Sequence, residues 1–397
     1  MPHNWKSSSR FARAWRGVLL CLCLAGTALA PLAAQADARS QARRMHDRLA
    51  GVPPTEAVLD LMASDIAAGR TTDAANRAMQ HRAFYDVTLK NFAMPWTNRD
   101  QTVFAPLNDY VATVIGMVRD DVAFDRVLYD DILYVGRSGL GVPGYSAANN
   151  DHYAALETQG ISLKDNLVAT TQSAANGIPA EATAGVLTSR AAAQAFFVAG
   201  TNRAMFRFTL MNHLCTDLEQ VQDPTRPPDR IRQDVSRSPG GDSRLFLNNC
   251  IACHSGMDPM AQAFAYYDYD ETAGRMLYTP GVVRPKYFNN KDTFPAGFST
   301  PDDNWDNYWR KGRNSLLGWE GSLPGKGTGA KSLGRELAHS DAFASCQVQK
   351  VFKTVCFRVP SDALDRDAVQ AMTASFKSSG YQLKRVFAEA ATYCKGD

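Results

Sequence analysis

The sequence lacks a marked excess of charge of either sign, with 43 Lys and Arg against 40 Asp and Glu. Nucleic-acid-binding proteins normally carry a clear basic excess, so this balance argues against that class of protein. The chain also lacks internal repeats and low-complexity tracts, while hydrophobic residues make up 45% of it. This composition excludes disordered, collagen-like and coiled-coil proteins, and it supplies enough apolar material for a large packed core.

The apolar stretch near the N-terminus, Val18–Ala30, is too short for a bilayer span, which takes about 20 residues. A small-x-small sequence, Ala34-Gln35-Ala36, follows it, and four basic residues precede it: Lys6, Arg10, Arg13 and Arg16. This order predicts a secretory signal over residues 1–36, with a membrane anchor as the alternative. Removal of the signal leaves 39 basic against 40 acidic residues and no membrane span, and we expect a periplasmic mature protein.

The spacing of the apolar residues is mostly helical and predicts a mainly α protein. We expect a multi-helix body with a c-type haem-binding module and a C-terminal helical bundle. The predicted divisions are the signal at 1–36, an N-terminal helical region at 37–183, a haem-binding region at 184–324 and a C-terminal helical module at 325–397.

Individual helices are predicted from apolar residues at three- and four-residue intervals. They are a helix through Val58–Ile66 and further helices at Asp73–Asn91, Leu107–Arg119, Phe124–Leu133, Arg190–Cys215, Leu333–His339, Asp341–Phe357, Asp362–Ser378 and Gln382–Tyr393. The stretch Gly274–Gly325 predicts loops and short strands, and Gly321–Gly334, with five glycines, predicts a linker.

The residues that carry chemistry are Cys250-Ile251-Ala252-Cys253-His254, a C-x-x-C-H haem c attachment sequence. In this interpretation the two thiols bind the haem vinyl groups and His254 is the proximal iron ligand, because the spacing places all three on one helical turn. A zinc site is an alternative, but it needs two further ligands and usually a second paired motif. A redox-active C-x-x-C is another, but it is expected in a small α/β domain. The following Asp258-Pro259 predicts the start of a new helix, with the aspartate as its N-cap.

The sixth iron ligand stays open at this stage. No Met lies between Met276 and Met372, so the downstream methionine usual in small cytochromes c is missing. Met276, expected in a loop that could fold over the distal face, is the candidate. His213, His152 and His339 are alternatives, as is an open or water-bound iron.

Six cysteines remain after signal removal, and an oxidising compartment favours disulfides for those outside the motif. If Asp341–Phe357 is one helix, Cys346 and Cys356 lie about 15 Å apart along it and cannot pair with each other. In an up-down-up bundle the end of the first helix lies beside the end of the third. This favours Cys356–Cys394 and leaves Cys215–Cys346, while a free thiol or another helix register would change the pairing.

The chain resembles the planctomycete-type cytochrome c family, a group of exported bacterial haem c proteins of unassigned function. The resemblance rests on Cys250–Met260, which matches C-x-x-C-H-x-x-x-D-P, and on the downstream pair Tyr267-Asp268. It extends over about Ala184–Tyr393 through Ala184–Ser189, Arg203–Leu214, Leu333–Ala338, Phe343–Cys346, Arg358 and Ser379–Lys384, and more weakly over Asn98–Gly136. The chain departs from the group at Ala261, where many members have glycine, and at Cys215 and Cys394. The resemblance implies one covalent haem c and export, but no substrate.

These residues predict a periplasmic monohaem cytochrome that transfers single electrons to and from an unidentified redox partner protein. We expect the Trp- and Tyr-rich section after Gly274 to cover part of the haem. A haem-dependent peroxidase or oxidase is the alternative, which needs an open sixth position at the iron. A partner-binding protein with a structural haem is a further alternative, favoured by the large region before the haem module.

Overall fold

The structure is a computed structural model that describes residue 1 and residues 37–197, 200–288 and 295–396. The rest of the predicted signal, residues 2–36, lies outside the described residues. Among the described residues, no helix combines the length and the apolar character needed to span a membrane.

The protein is mainly helical, as the sequence predicts. The α-helices are α1 Ala38–Ala50, α2 Glu56–Ala67, α3 Thr71–Ala78, α4 Lys90–Ala93, α5 Asp109–Arg119, α6 Asp151–Thr158, α7 Leu163–Asn166, α8 Gln172–Asn176, α9 Arg190–Phe196, α10 Arg203–Thr209, α11 Ser243–Leu245, α12 Ile251–Ala261, α13 Gly329–Ala338, α14 Asp341–Cys356, α15 Ala363–Ser378 and α16 Leu383–Tyr393. Turns of π-helix occupy Phe84–Leu89, Leu210–Leu214 and Phe246–Cys250, and short 3₁₀ turns join other elements.

Six short strands form three separate antiparallel hairpins. They are β1 Leu133–Gly136 with β2 Leu167–Thr170, β3 Tyr267–Asp270 with β4 Arg275–Tyr278, and β5 Asn304–Asp306 with β6 Lys326–Thr328. One strand of each of two hairpins, β4 and β5, lies within Gly274–Gly325, so the prediction of short strands in that stretch is confirmed.

Side-chain caps begin several of the predicted helices. The Thr55 hydroxyl accepts the backbone N–H of Val58 at the start of α2, and the Ser340 hydroxyl accepts that of Phe343 at the start of α14. Each cap satisfies a backbone donor that has no partner within the helix. The polar residues before the apolar periods therefore set these helix starts.

Several predicted helices are broken. The segment Asp73–Asn91 forms α3 followed by a π turn, and Phe124–Leu133 forms a 3₁₀ turn that leads to β1. The long segment Arg190–Cys215 divides into α9, α10 and a π turn, with Gly200 at a φ of 61° in the left-handed region between the two helices. Apolar periodicity predicts which face is buried, but it does not predict where tertiary packing bends the chain.

The glycine-rich linker predicted at Gly321–Gly334 is wrong in its second half, where β6 and α13 are ordered elements. A Cβ on Gly334 would fall 1.9 Å from the carbonyl oxygen of Leu128, so this glycine lets α13 approach another part of the backbone closely. The glycine therefore serves close packing rather than flexibility.

Helices α14, α15 and α16 pack against one another as the predicted C-terminal bundle. One cluster of buried apolar residues extends from Ala42 to Cys394 and includes residues from all three predicted regions of the mature chain. The cysteine pairing is the one the sequence favours, with disulfides Cys215–Cys346 and Cys356–Cys394. The first of these joins the segment after α10 to the bundle.

Candidate haem attachment site

The motif lies on a nearly continuous helical segment that runs through α11, the π turn Phe246–Cys250 and α12. The Asp242 side chain caps the start by accepting the backbone N–H of Arg244. Cys250 ends the π turn, and Cys253 and His254 follow three and four residues later. Residues at these intervals are neighbours on a helix, while haem attachment by the two thiols and the imidazole stays a prediction.

Both motif thiols are free and partly exposed, whereas the other four described cysteines are paired. The Cys253 Sγ lies 3.7 Å from the carbonyl oxygen of Leu218, which is within reach of a weak S–H donor. Burial raises the pKa of the Cys253 thiol, which favours its protonated form. The site thus offers two accessible thiols one helical turn apart.

The imidazole of His254 is held from one side. Its Nδ1 lies 3.1 Å from both carboxylate oxygens of Asp258, one turn further along α12. Because a carboxylate only accepts, Nδ1 carries the proton, and the lone pair is left on Nε2. The side chain remains 20% exposed. This is the tautomer that a histidine needs to bind a metal through Nε2.

The Asp258 carboxylate is completely buried and also pairs with Arg203 of α10. Arg203 Nε donates to Oδ1 at 2.7 Å and its NH2 group donates to Oδ2 at 2.8 Å. Burial alone would raise the pKa of the Asp258 carboxyl, but the Arg203 guanidinium and His254 hold it well below its usual range. On its other side Arg203 pairs with Asp234, so it lies between two carboxylates.

The predicted role of Asp258-Pro259 as a helix start is wrong, since both residues lie inside α12. The Asp258 side chain binds Arg203 and His254 instead of capping a backbone N–H. Sequence reasoning missed Arg203 and Asp234 altogether. The four-residue spacing of His254 and Asp258 was a usable signal, because such residues are neighbours on a helix. Nothing local pointed to Arg203, which is 55 residues away from Asp258 in sequence.

Trp309 packs on another side of α12. A Cβ built on Gly256 would fall 1.8 Å from Nε1 of this indole, which is fully buried. The Trp309 carbonyl accepts from Nε1 of Trp319 at 3.0 Å. Part of the aromatic section after Gly274 therefore supports the motif helix, while its covering of a haem stays a prediction.

Exposed apolar side chains flank the start of the motif. Leu245 and Leu247 are 43% and 56% exposed, whereas Phe246 between them is buried with Ile231 and Val235. Two exposed apolar side chains therefore lie on the helical segment just before Cys250.

Met276 lies in β4 opposite Tyr269 and not in the predicted loop, because Arg275–Tyr278 pairs along β3. Its side chain lines a cavity of about 220 Å³ with residues that include Ile178, Arg190 and Arg275. The motif residues are not among those that line this cavity. The assignment of Met276 as the distal iron ligand stays a prediction.

The alternative histidines make hydrogen bonds elsewhere in the fold. His213 is fully buried, and its Nε2 lies 2.7 Å from the Tyr110 hydroxyl. His152 Nε2 accepts the backbone N–H of Gly136 at 2.8 Å, and its Nδ1 lies 2.6 Å from a carbonyl oxygen. His339 Nδ1 donates to the Arg335 carbonyl at 2.8 Å. Each ring is thus engaged in local structure.

Among the residues that the structure describes, no group of three or more His, Cys, Asp or Glu side chains is arranged to hold a metal ion. Comparison with known proteins finds no matching family model, no similar curated protein and no similar solved structure.

Proposed function

We propose that this protein is an exported monohaem c-type cytochrome that carries single electrons in the periplasm. The observation that carries the proposal is the donor set at the start of α12: two free thiols, at Cys250 just before the helix and at Cys253 within it, and the His254 imidazole, whose Nδ1 contacts Asp258. The resemblance to planctomycete-type cytochromes c and the predicted signal over residues 1–36 support the same function. The redox partner would be a protein that exchanges one electron at a time.

These residues fit a covalent haem. Each thiol would add across one vinyl group: an S–C bond forms, the vinyl double bond becomes single, and the thiol proton goes to the other vinyl carbon. The Nε2 lone pair of His254 would bind the iron, which supplies a reversible one-electron couple when haem is bound. Leu245 and Leu247 would pack on the apolar macrocycle, which would remove their side chains from water.

Asp258, Arg203 and Trp309 orient the site. Asp258 holds the His254 ring in one tautomer, and Arg203 neutralises the buried carboxylate. Trp309, packed on Gly256, holds α12 against the core. A rigid protein shell of this kind limits the reorganisation that accompanies electron transfer.

The test is expression with the native signal in cells that carry a periplasmic haem-attachment system. The purified protein is analysed by mass spectrometry and by the spectrum of its haem in alkaline pyridine. We expect one haem that resists acid-acetone extraction in the wild type, none covalently bound in Cys250→Ala/Cys253→Ala, and an unchanged content in the matched control His81→Ala, an exposed histidine away from the motif. A folded wild-type protein without haem would overturn the proposal.

Binding of carbon monoxide to the reduced protein distinguishes an electron carrier from an enzyme that reacts at the iron. We expect the spectrum of the reduced protein to be unchanged by the gas, because a carrier keeps two strong axial ligands. A shifted spectrum would mean an accessible sixth position and would favour a peroxidase or oxidase instead.

A further inference from the structure

A buried chain of charges lies behind His254 and reaches from α12 to α10 and the loop that follows it. Its members alternate in sign: Asp258 contacts His254 and Arg203, and Arg203 continues to Asp234. Side-chain exposure is 0% at Asp258, 21% at Arg203 and 13% at Asp234. The chain begins at the candidate iron ligand, and Asp258 is its only fully buried member.

The two contacts of Asp258 have different consequences. Its bidentate contact with Arg203 ties α12 to α10 and compensates the cost of burying a charge. Its contact with Nδ1 of His254 joins two residues of the same helix, so it adds no link between helices. This second contact acts on the imidazole. A carboxylate that accepts a hydrogen bond from the Nδ1–H group fixes the orientation of the ring and raises the basicity of Nε2.

We infer that Asp258 is a positioning residue that sets the reduction potential of this site through His254, with Arg203 as the counter-charge that limits its effect. The inference rests on the proposed function. A more basic Nε2 stabilises the oxidised iron over the reduced iron, so the Asp258 contact lowers the potential. Arg203 partly neutralises the Asp258 carboxylate that contacts His254, so it raises the potential.

The test compares midpoint potentials of three haem-loaded variants with the wild type. Asp258→Asn keeps the size of the side chain and removes its charge, and we expect a higher potential. Arg203→Gln removes the guanidinium from the carboxylate, which keeps its contacts with His254 and with the backbone N–H of Arg232, and we expect a lower potential. The matched control is Asp234→Asn, which contacts the same guanidinium without touching His254, and we expect a much smaller shift than for Asp258→Asn.

The opposite signs distinguish this role from a structural one, because a general loosening of the site would move both potentials in the same direction. Equal shifts in Asp258→Asn and Asp234→Asn, or a rise in Arg203→Gln, would overturn the inference. Haem content is measured first, so a wild-type protein without haem overturns the proposed function, whereas haem-loaded variants with unshifted potentials overturn the role of Asp258 alone.

A measurement on the wild type decides the matter if the variants do not fold. In the reduced protein, whose iron with two strong axial ligands would be low-spin and diamagnetic, we expect a nuclear Overhauser effect between the Nδ1 proton of His254 and the β-protons of Asp258. A Nδ1 proton that exchanges freely with water and shows no such effect would overturn the inference.

Discussion

Gly256 and Trp309 touch so closely that no side chain fits between them. A Cβ on Gly256 would lie 1.8 Å from the indole Nε1, and Trp309 is fully buried. The contact fixes α12, and with it the candidate haem ligands, against the body of the protein.

Replacement of Gly256 by alanine should therefore destabilise the protein. The indole has to move within a close-packed core, and overpacking of this kind typically costs about 1–3 kcal/mol. Chemical denaturation of Gly256→Ala and of the control Gly144→Ala checks this, since nothing lies within 4 Å of a Cβ at Gly144. Equal stability of the two variants would contradict the contact.

The stability should also depend on pH through Lys350. Burial of its ammonium group and the nearby Lys353 lower the pKa of Lys350 from 10.5 to about 7 in the folded protein. Between these two values the unfolded chain binds more protons than the folded one, so the free energy of unfolding rises with pH, by at most about 1.4 kcal/mol per pH unit. Below the lower value this contribution to the slope disappears.

The measurement is urea unfolding of the wild type and Lys350→Met at several pH values between 7 and 10. We expect Lys350→Met to lose the part of the pH dependence of the unfolding free energy that Lys350 causes. Lys311→Met, at an exposed position, should retain it. Identical slopes in the wild type and Lys350→Met would show that Lys350 does not titrate in this range.

Removal of the Cys356–Cys394 disulfide should weaken the C-terminal bundle. The bond closes a loop of 38 residues, for which the chain-entropy estimate is about 4 kcal/mol. Denaturation of Cys356→Ala/Cys394→Ala against the wild type measures the loss. Peptide mapping without reduction tests the pairing itself, and a peptide that links Cys346 to Cys394 would contradict it.

The bundle should lose stability in acid through Asp365. Arg358 donates to its carboxylate, the Tyr393 hydroxyl donates to Oδ1 at 2.9 Å, and Arg358 holds the pKa of Asp365 below its ordinary value of 3.8. A lowered pKa gives stability that is present above about pH 4 and is lost as the pH falls toward the folded-state value. We expect Asp365→Asn to lower the free energy of unfolding at pH 7 by about 1.5–3 kcal/mol and to reduce the acid dependence. The exposed control Asp367→Asn should do neither.

The helices of the C-terminal bundle and the disulfides were predictable because the rules that govern them are local or covalent. Ser340 caps α14, and apolar residues recur at helical intervals after it. Once α14 is a single helix, its length excludes a bond between Cys346 and Cys356. Of the two pairings that this leaves, the structure confirms the one that an up-down-up bundle favours, Cys356–Cys394 with Cys215–Cys346.

Met276 and Gly334 show where such rules fail. A glycine-rich or aromatic stretch predicts irregular chain, but Met276 pairs in a hairpin and Gly334 packs on the Leu128 carbonyl. Leu128 is distant in sequence from Gly334, and a single sequence carries no record of that contact. Tyr269 is only seven residues from Met276, so this hairpin is a local element that the loop prediction missed.

The sequence by itself determined the candidate chemistry of this protein, because two thiols and an imidazole within five residues meet on any helical turn. The tertiary structure decided what stands behind that imidazole. Asp258 is four residues from His254, but its partner Arg203 comes from another helix, and only the folded chain brings the three together. A buried carboxylate needs such a partner, because burial of an unpaired charge costs too much free energy.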